Sequence, residues 1–235
     1  MKKISINKKT EIDFISLTAH QFKKPLSAIK LSLEMLLKGD FGNINEEQRA
    51  ILQKILERDE TLICLVSDLL NVAKIEGQEH IHHATLVNLE DVLDSVIHFT
   101  KEEIERKNIT FKLEKPNATI PELMLDKEKM SLAIENIINN AIEYTPIGGS
   151  VNVSLTVSQN AVQLNVQDSG IGIPVSETKN VFTKFFRATN AAKEVAAGSG
   201  LGLFIAKNIV EANHGKIWFE SQENKGSSFF ISLPR

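Results

Sequence analysis

The chain has 235 residues, 42% of them hydrophobic and 24% charged, the balance of one large or two modest globular domains. A net charge of −3 excludes the whole-chain basic field expected of a nucleic-acid binder. No run of 18 apolar residues exists, so no membrane span is expected, and the N-terminus lacks the apolar stretch of a signal peptide.

A cytoplasmic location is the expectation, with any sensor or membrane anchor lying outside this stretch of sequence. The one cysteine, Cys64, cannot form an internal disulfide and reads as a small core residue in a reducing compartment.

The first element reads as a long helix. Ile12, Ile15, Ala19, Phe22, Leu26, Ile29, Leu33 and Leu36 alternate spacings of three and four, the repeat of a coiled-coil seam. Pro25 falls inside this stripe; because the stripe stays in phase across it, a kink is expected rather than a stop. Gly39 ends the helix. Asn45, followed by Gln48, reads as an N-cap with a capping-box partner for a second helix ending at Gly77. Its stripe comprises Leu52, Ile55, Leu62, Val66, Leu69 and Ala73, interrupted by Asp59. The hairpin leaves wide apolar faces, which a second copy would cover as a dimeric four-helix bundle.

Residues 78–88 are polar and rich in histidine (His80, His82, His83) and read as a linker, without the carboxylate or cysteine pattern of a metal site. The domains are therefore placed at residues 1–80 and 81–235. The second has a mixed pattern: helices at 89–107, 127–144 and 201–213, and short strands at 109–114 and 123–126. An alternating hairpin spans 151–157 and 162–167, with closing strands at 217–221 and 228–233. Trp218 and the phenylalanines read mostly as core.

Glycines carry the first chemical signal. Asp168-Ser169-Gly170-Ile171-Gly172 follows a strand, and Gly198-Ser199-Gly200-Leu201-Gly202 opens a helix. Glycine lets a backbone approach a ligand closely, and helix N-termini favour phosphate. No P-loop string occurs, and Val175 and Ile205 stand where a dinucleotide fingerprint needs its third glycine. Within the 127–144 helix, Asn136 and Asn140 are four residues apart and share a face. Two such amides mid-helix suggest a ligand or metal site, whereas Asn139 points elsewhere and reads as surface.

Taken in chain order, these strings resemble the N, G1, F and G2 boxes of the sensor histidine kinases of two-component systems. The F box resembles Phe182-Thr183-Lys184-Phe185-Phe186-Arg187, and His20-Gln21-Phe22-Lys23-Lys24-Pro25-Leu26 resembles the family's H box. The resemblance implies an antiparallel helical hairpin for dimerisation and histidine phosphotransfer. It also implies an ATP-binding α/β sandwich of the gyrase, Hsp90 and histidine-kinase type.

The same resemblance implies that Asp168 accepts from the adenine amino group, that Asn140 gives Mg²⁺ an oxygen, and that Asn136 supports the phosphates. It implies that Tyr144 lines the nucleotide site and that Gly170 and Gly172 pass the adenine. Gly198, Gly200 and Gly202 would border the triphosphate beneath a mobile lid over residues 188–197. Independently, the heptad turns His20 outward, where a neutral imidazole near pH 7 could act as the nucleophile.

Three positions depart from the family. Gln21 replaces the usual carboxylate beside the histidine; its amide can still hold the ring N–H but cannot neutralise an imidazolium, so slower autophosphorylation is expected. Lys24 replaces a Thr or Asn that helps position water for dephosphorylation, and lies with Lys23 on the His20 side of the helix. Glu143 replaces a commonly basic residue near the phosphates.

The leading reading is a protein-histidine kinase that autophosphorylates His20 with ATP and Mg²⁺ and passes the phosphoryl group to an aspartate of a response-regulator receiver domain. A nucleotide-binding pseudokinase scaffold is the alternative. A gyrase- or Hsp90-like ATPase clamp is disfavoured, because Asn136 stands where its glutamate base would be.

Overall fold

The computed structural model describes residues 8–77, 83–116, 118–195 and 198–235. His80 and His82 of the expected linker, and Ala196 and Ala197 of the expected lid, lie outside the described residues. Contacts divide the chain into two compact units, residues 1–80 with 197–199, and residues 81–196 with 200–235.

The first unit is an antiparallel hairpin of α1 (Lys8–Lys38) and α2 (Glu46–Glu76). Helix α1 runs through Pro25, although proline has no N–H to offer the preceding turn. It ends in a Schellman arrangement: the Gly39 N–H donates to Leu36 O at 3.1 Å, the Asp40 N–H donates to Met35 O at 3.1 Å, and Gly39 takes a φ of +86°. The capping box of α2 is formed in both directions. The Gln48 N–H donates to Asn45 Oδ1 at 2.8 Å, and the Asn45 N–H donates to Gln48 Oε1 at 2.9 Å.

Ala19, Leu33, Val66, Val72 and Ala73 are buried along the hairpin seam. Leu17, Phe22, Ile29, Leu31, Ile51, Ile55 and Leu62 remain exposed. Cys64 is exposed, against the expectation of a core residue: it stands two positions from both Leu62 and Val66, off the stripe that packs.

The second unit is a two-layer sandwich. Its sheet runs in the order β2 (Thr110–Glu114), β4 (Ser150–Val157), β5 (Ala161–Asp168), β7 (Gly226–Pro234), β6 (Lys216–Gln222). Only the β2–β4 pair is parallel. Three helices supply the other layer: α3 (Leu89–Arg106), α4 (Lys127–Tyr144) and α6 (Gly202–Ala212). Period-2 alternation sends Val151, Val153, Val162, Leu164, Val166, Phe229, Ile231 and Leu233 into the core. There they meet Met130, Ala133, Ile134, Ile137, Ile138, Ala141 and Ile142 of α4.

The expected linker contains a strand. Residues Thr85–Val87 form β1, which pairs antiparallel with β3 (Leu123–Leu125) in a separate two-stranded sheet. A second addition is a short helix, α5 (Thr189–Glu194), within the expected lid. Trp218 is not core; it lies on the open face of the sheet, stacked on Phe230 with ring centroids 5.2 Å apart. Phe41, Phe99 and Phe185 are likewise exposed.

Candidate functional site

Helix α4 starts from Asp126, whose Oδ1 accepts the Lys129 N–H at 3.1 Å. One face is core, which leaves Asn136 and Asn140 half-buried on the flank and Asn139 exposed. Asn136 Nδ2 donates to Leu132 O at 2.9 Å. Its Oδ1 faces the start of α6, where a β-carbon on Gly202 would come within 2.7 Å of it. The Asn140 amide makes no hydrogen bond to another described residue, which leaves a neutral oxygen suited to a hard cation.

The end of α4 is a tightly tied corner that the sequence patterns did not reveal. Thr145 is buried, and its Oγ1 donates to Ala141 O at 2.6 Å. Lys107 Nζ donates to the carbonyls of Ile142, Glu143 and Thr145 at 2.8, 2.7 and 2.8 Å. These are orphan acceptors of a helix C-terminus, satisfied by a side chain from the end of α3. The Ile171 N–H donates to Tyr144 O at 3.2 Å and fastens the first glycine loop to this corner. Gly170 fits there because a β-carbon would lie 2.5 Å from Tyr144 O. Gly172, at φ +63°, has no room for one either, with Gln222 O only 2.0 Å from its place.

Asp168 closes β5 and is buried. Both of its hydrogen bonds fall on Oδ1, from the Gly170 N–H at 2.8 Å and the Ser227 N–H at 3.2 Å. Burial pushes its carboxyl up to about 6, and the two backbone donors pull the other way. Its other oxygen is left for a ligand donor. Ser227 was not foreseen; it comes from β7, which no local pattern connects to Asp168. A surface hollow of about 280 Å³ opens beside Asp168 between the ends of β5, β6 and β7, lined also by Gln167, Ser221, Gln222, Lys225 and Gly226. It does not reach the asparagines of α4.

The second glycine string takes the backbone conformations that glycine permits: φ is +141° at Gly198 and +66° at Gly200. A β-carbon on Gly200 would lie 2.7 Å from Phe185 C, and Phe185 itself holds a φ of +60°. Asn190 Nδ2 donates to Gly172 O at 2.9 Å and ties α5 to the first glycine loop.

The second unit thus carries all of Asn136, Asn140, Tyr144, Asp168, Gly170, Gly172, Gly200 and Gly202: Asp168, Gly170 and Tyr144 meet in one corner, and Gly202 lies against Asn136 on α4. His20 and Gln21 are in the first unit, both exposed on α1, directly after Ala19, which is only 1% exposed. No described group of His, Cys, Asp and Glu is arranged to hold a metal ion. No described helix is long and apolar enough to cross a membrane.

Comparison with known proteins agrees with both halves. The profile of the His Kinase A (phospho-acceptor) domain matches residues 10–78. That of the histidine kinase-, DNA gyrase B-, and HSP90-like ATPase matches residues 125–235. The sensor protein kinase WalK of Staphylococcus saprophyticus is 33% identical over 226 residues, covering 94% of this chain and 36% of that protein. The chain therefore spans about a third of the length of such curated relatives.

Among solved structures, full-length ShkA in complex with AMPPNP superposes with a TM-score of 0.74 at 22% identity, over 94% of this chain and 45% of that one. Histidine kinase ThkA in complex with response regulator protein TrrA gives a TM-score of 0.62 at 26% identity, over 94% of this chain and 61% of that one.

Proposed function

From the premise that this chain belongs to the sensor histidine kinases, we propose that it autophosphorylates on His20 with ATP and passes the phosphoryl group to an aspartate of a response regulator. The observation that carries the ATP half is the Asp168 carboxylate. It is buried and fixed through one oxygen by two backbone donors, which leaves the other oxygen to accept from an adenine amino group. Glycine at 170 and 202 lets the backbone lie directly against Tyr144 and Asn136, where a larger residue would not fit.

Mg²⁺ would be held by the Asn140 amide oxygen together with the phosphates, and would supply charge neutralisation when bound. Asn136 would support the phosphates or their waters. Gly198, Gly200 and Gly202 would bring backbone close to the triphosphate, at the start of α6. Tyr144 would line the site from the α4 end.

Exposure of His20 supports its role as nucleophile. One ring nitrogen attacks the γ-phosphorus, the bond to the β–γ bridging oxygen breaks, and ADP departs with that oxygen. The other ring nitrogen donates its N–H to Gln21, which holds the ring but takes no proton; that proton leaves to water. A carboxylate of the response regulator then attacks the same phosphorus and releases the histidine.

A second copy of the chain is the expected cover for the exposed leucines, isoleucines and Phe22 of the hairpin, giving a four-helix bundle.

Incubation with γ-labelled ATP tests the proposal. Acid-labile, base-stable label is expected on the wild type and absent from His20→Ala, with Asn140→Ala strongly reduced. Label that persists in His20→Ala, or a wild type that binds ATP without acquiring label, would overturn it.

A further inference from the structure

Strand β6 closes one side of the five-stranded sheet and has a single neighbour, β7. Among the described residues, no backbone bond from residues 216–221 reaches beyond that ladder. The strand is seven residues long, contains no proline and pairs with β7 without a bulge, so it lacks two devices that commonly blunt an open edge. An edge of this kind is a template for a further strand.

Its side chains specify which strand. Lys216, Trp218 and Glu220 are exposed on the open face of the sheet, and the half-buried Ile217 and Phe219 alternate with them on the helix side. On β7, Lys216 faces Ser232 and Glu220 faces Ser228, so neither charge meets its opposite across the one ladder it belongs to. Trp218 faces Phe230, and the two rings stack with an interplanar angle of 10°. Phe230 covers the inner face of the indole and leaves the outer face toward the edge.

The strand is thus self-complementary about Trp218, with a cation two residues before it and an anion two residues after it. Laid antiparallel to its own copy with the two tryptophans opposite, Lys216 of each copy stands across from Glu220 of the other, and Ile217 across from Phe219. Moving the centre of pairing by one residue to either side would set Trp218 against Lys216 or against Glu220 and undo both charge pairs.

We propose that the open edge of β6 docks a second copy of the chain, joining two five-stranded sheets into one through antiparallel β6–β6 pairing centred on Trp218. The contact is isologous, so each favourable pair occurs twice. Opposite charges directly across a strand pair stabilise it, and like charges oppose it. The outer indole face of one copy packs on that of the other. No residue of the nucleotide or phospho-acceptor roles takes part, and neither does the hairpin, so the inference does not rest on the function proposed above.

Trp218 is the sole tryptophan of the chain and lies outside the hairpin, so its fluorescence reports this contact and not a hairpin dimer. On the full chain, acrylamide quenching is expected to fall about twofold or more as concentration rises to about 1 mM, the range in which small interfaces associate. Lys216→Glu should raise the midpoint of that fall about tenfold or more, because two attractive pairs become repulsive. Both charged positions are exposed, and Lys216→Glu combined with Glu220→Lys reverses both signs and should restore the wild-type midpoint. Quenching that does not depend on concentration in the wild type, or a double variant no better than Lys216→Glu, would overturn the proposal.

A second arm tests the register. On a Cys64→Ser background, Lys216→Cys mixed with Glu220→Cys is expected to give the mixed disulfide in several-fold excess over the statistical yield, because only unlike positions stand within bridging distance. A statistical distribution of like and mixed pairs would overturn pairing centred on Trp218.

Discussion

Asn136 Oδ1 stands 2.7 Å from the point that a β-carbon on Gly202 would occupy. The first residue of α6 is therefore fitted to an amide on α4 and not to backbone. An added methyl would displace only the end of a side chain, so folding should be spared. Gly202→Ala is expected to melt within a few degrees of the wild type yet to lose about tenfold or more in ATP affinity. Nucleotide titration beside a thermal melt checks both halves; unchanged affinity would remove Asn136 from the phosphate end of the site.

The Asp168 carboxyl gives a pH dependence with a definite sign. Its folded value of about 6 lies above the ordinary 3.8, so the empty fold favours the protonated form. That contribution to stability is complete below about 4 and is lost as pH rises through about 6. An adenine amino donor needs the ionised form, so binding should release a proton near pH 6 and weaken about tenfold at pH 5. Adenosine is the clean probe, since it has no phosphates to titrate. Asp168→Asn should flatten the profile at low affinity, because the amide keeps an acceptor for Gly170 and Ser227 only by turning an NH₂ donor toward the ligand. A wild-type affinity that is flat between pH 5 and 7 would contradict this assignment.

Gln21 can orient the His20 ring without accepting its proton. Gln21→Glu restores an anionic acceptor next to the forming imidazolium, and the initial rate of His20 labelling should rise about tenfold or more. The comparison is made at saturating ATP, so that binding does not enter. A rate equal to or below that of the wild type would show that proton removal does not limit transfer.

Leu62 is 50% exposed on α2, next to the buried Val66 seam. Leu62→Glu should cost the isolated hairpin little, yet place two like charges in the core of a four-helix bundle. Sedimentation velocity is expected to show a dimer for the wild type and a monomer for the variant. A monomeric wild type would leave these apolar faces to another partner.

Long, periodic elements were legible because their order is local. The heptad of α1, the Asn45–Gln48 capping box and the alternation of β4 and β5 each specify a face without reference to the rest of the chain. What escaped depends on distant partners. Thr85–Val87 has too few residues to show alternation and becomes a strand only by meeting Leu123–Leu125. Helix α5 has six residues, too short for a periodic signal, and is held by Arg187, Asn190 and Glu177.

Trp218 looked like core by residue type, but its position in β6 sends it to the uncovered side of the sheet, where Phe230 shelters one face of the ring. At the site, residue identities could be aligned from the motifs, whereas the Ser227 donor to Asp168 and the Lys107 tie arise from topology.

The ammonium of Lys107 works as a rivet between two helices thirty-five residues apart in the chain. Because every proton on that nitrogen is committed, amine-reactive reagents should find it protected in the folded domain and open to attack once α3 and α4 separate. An acyl group there would strip three carbonyls of their donor at once and loosen the corner on which Tyr144 and the first glycine loop are seated.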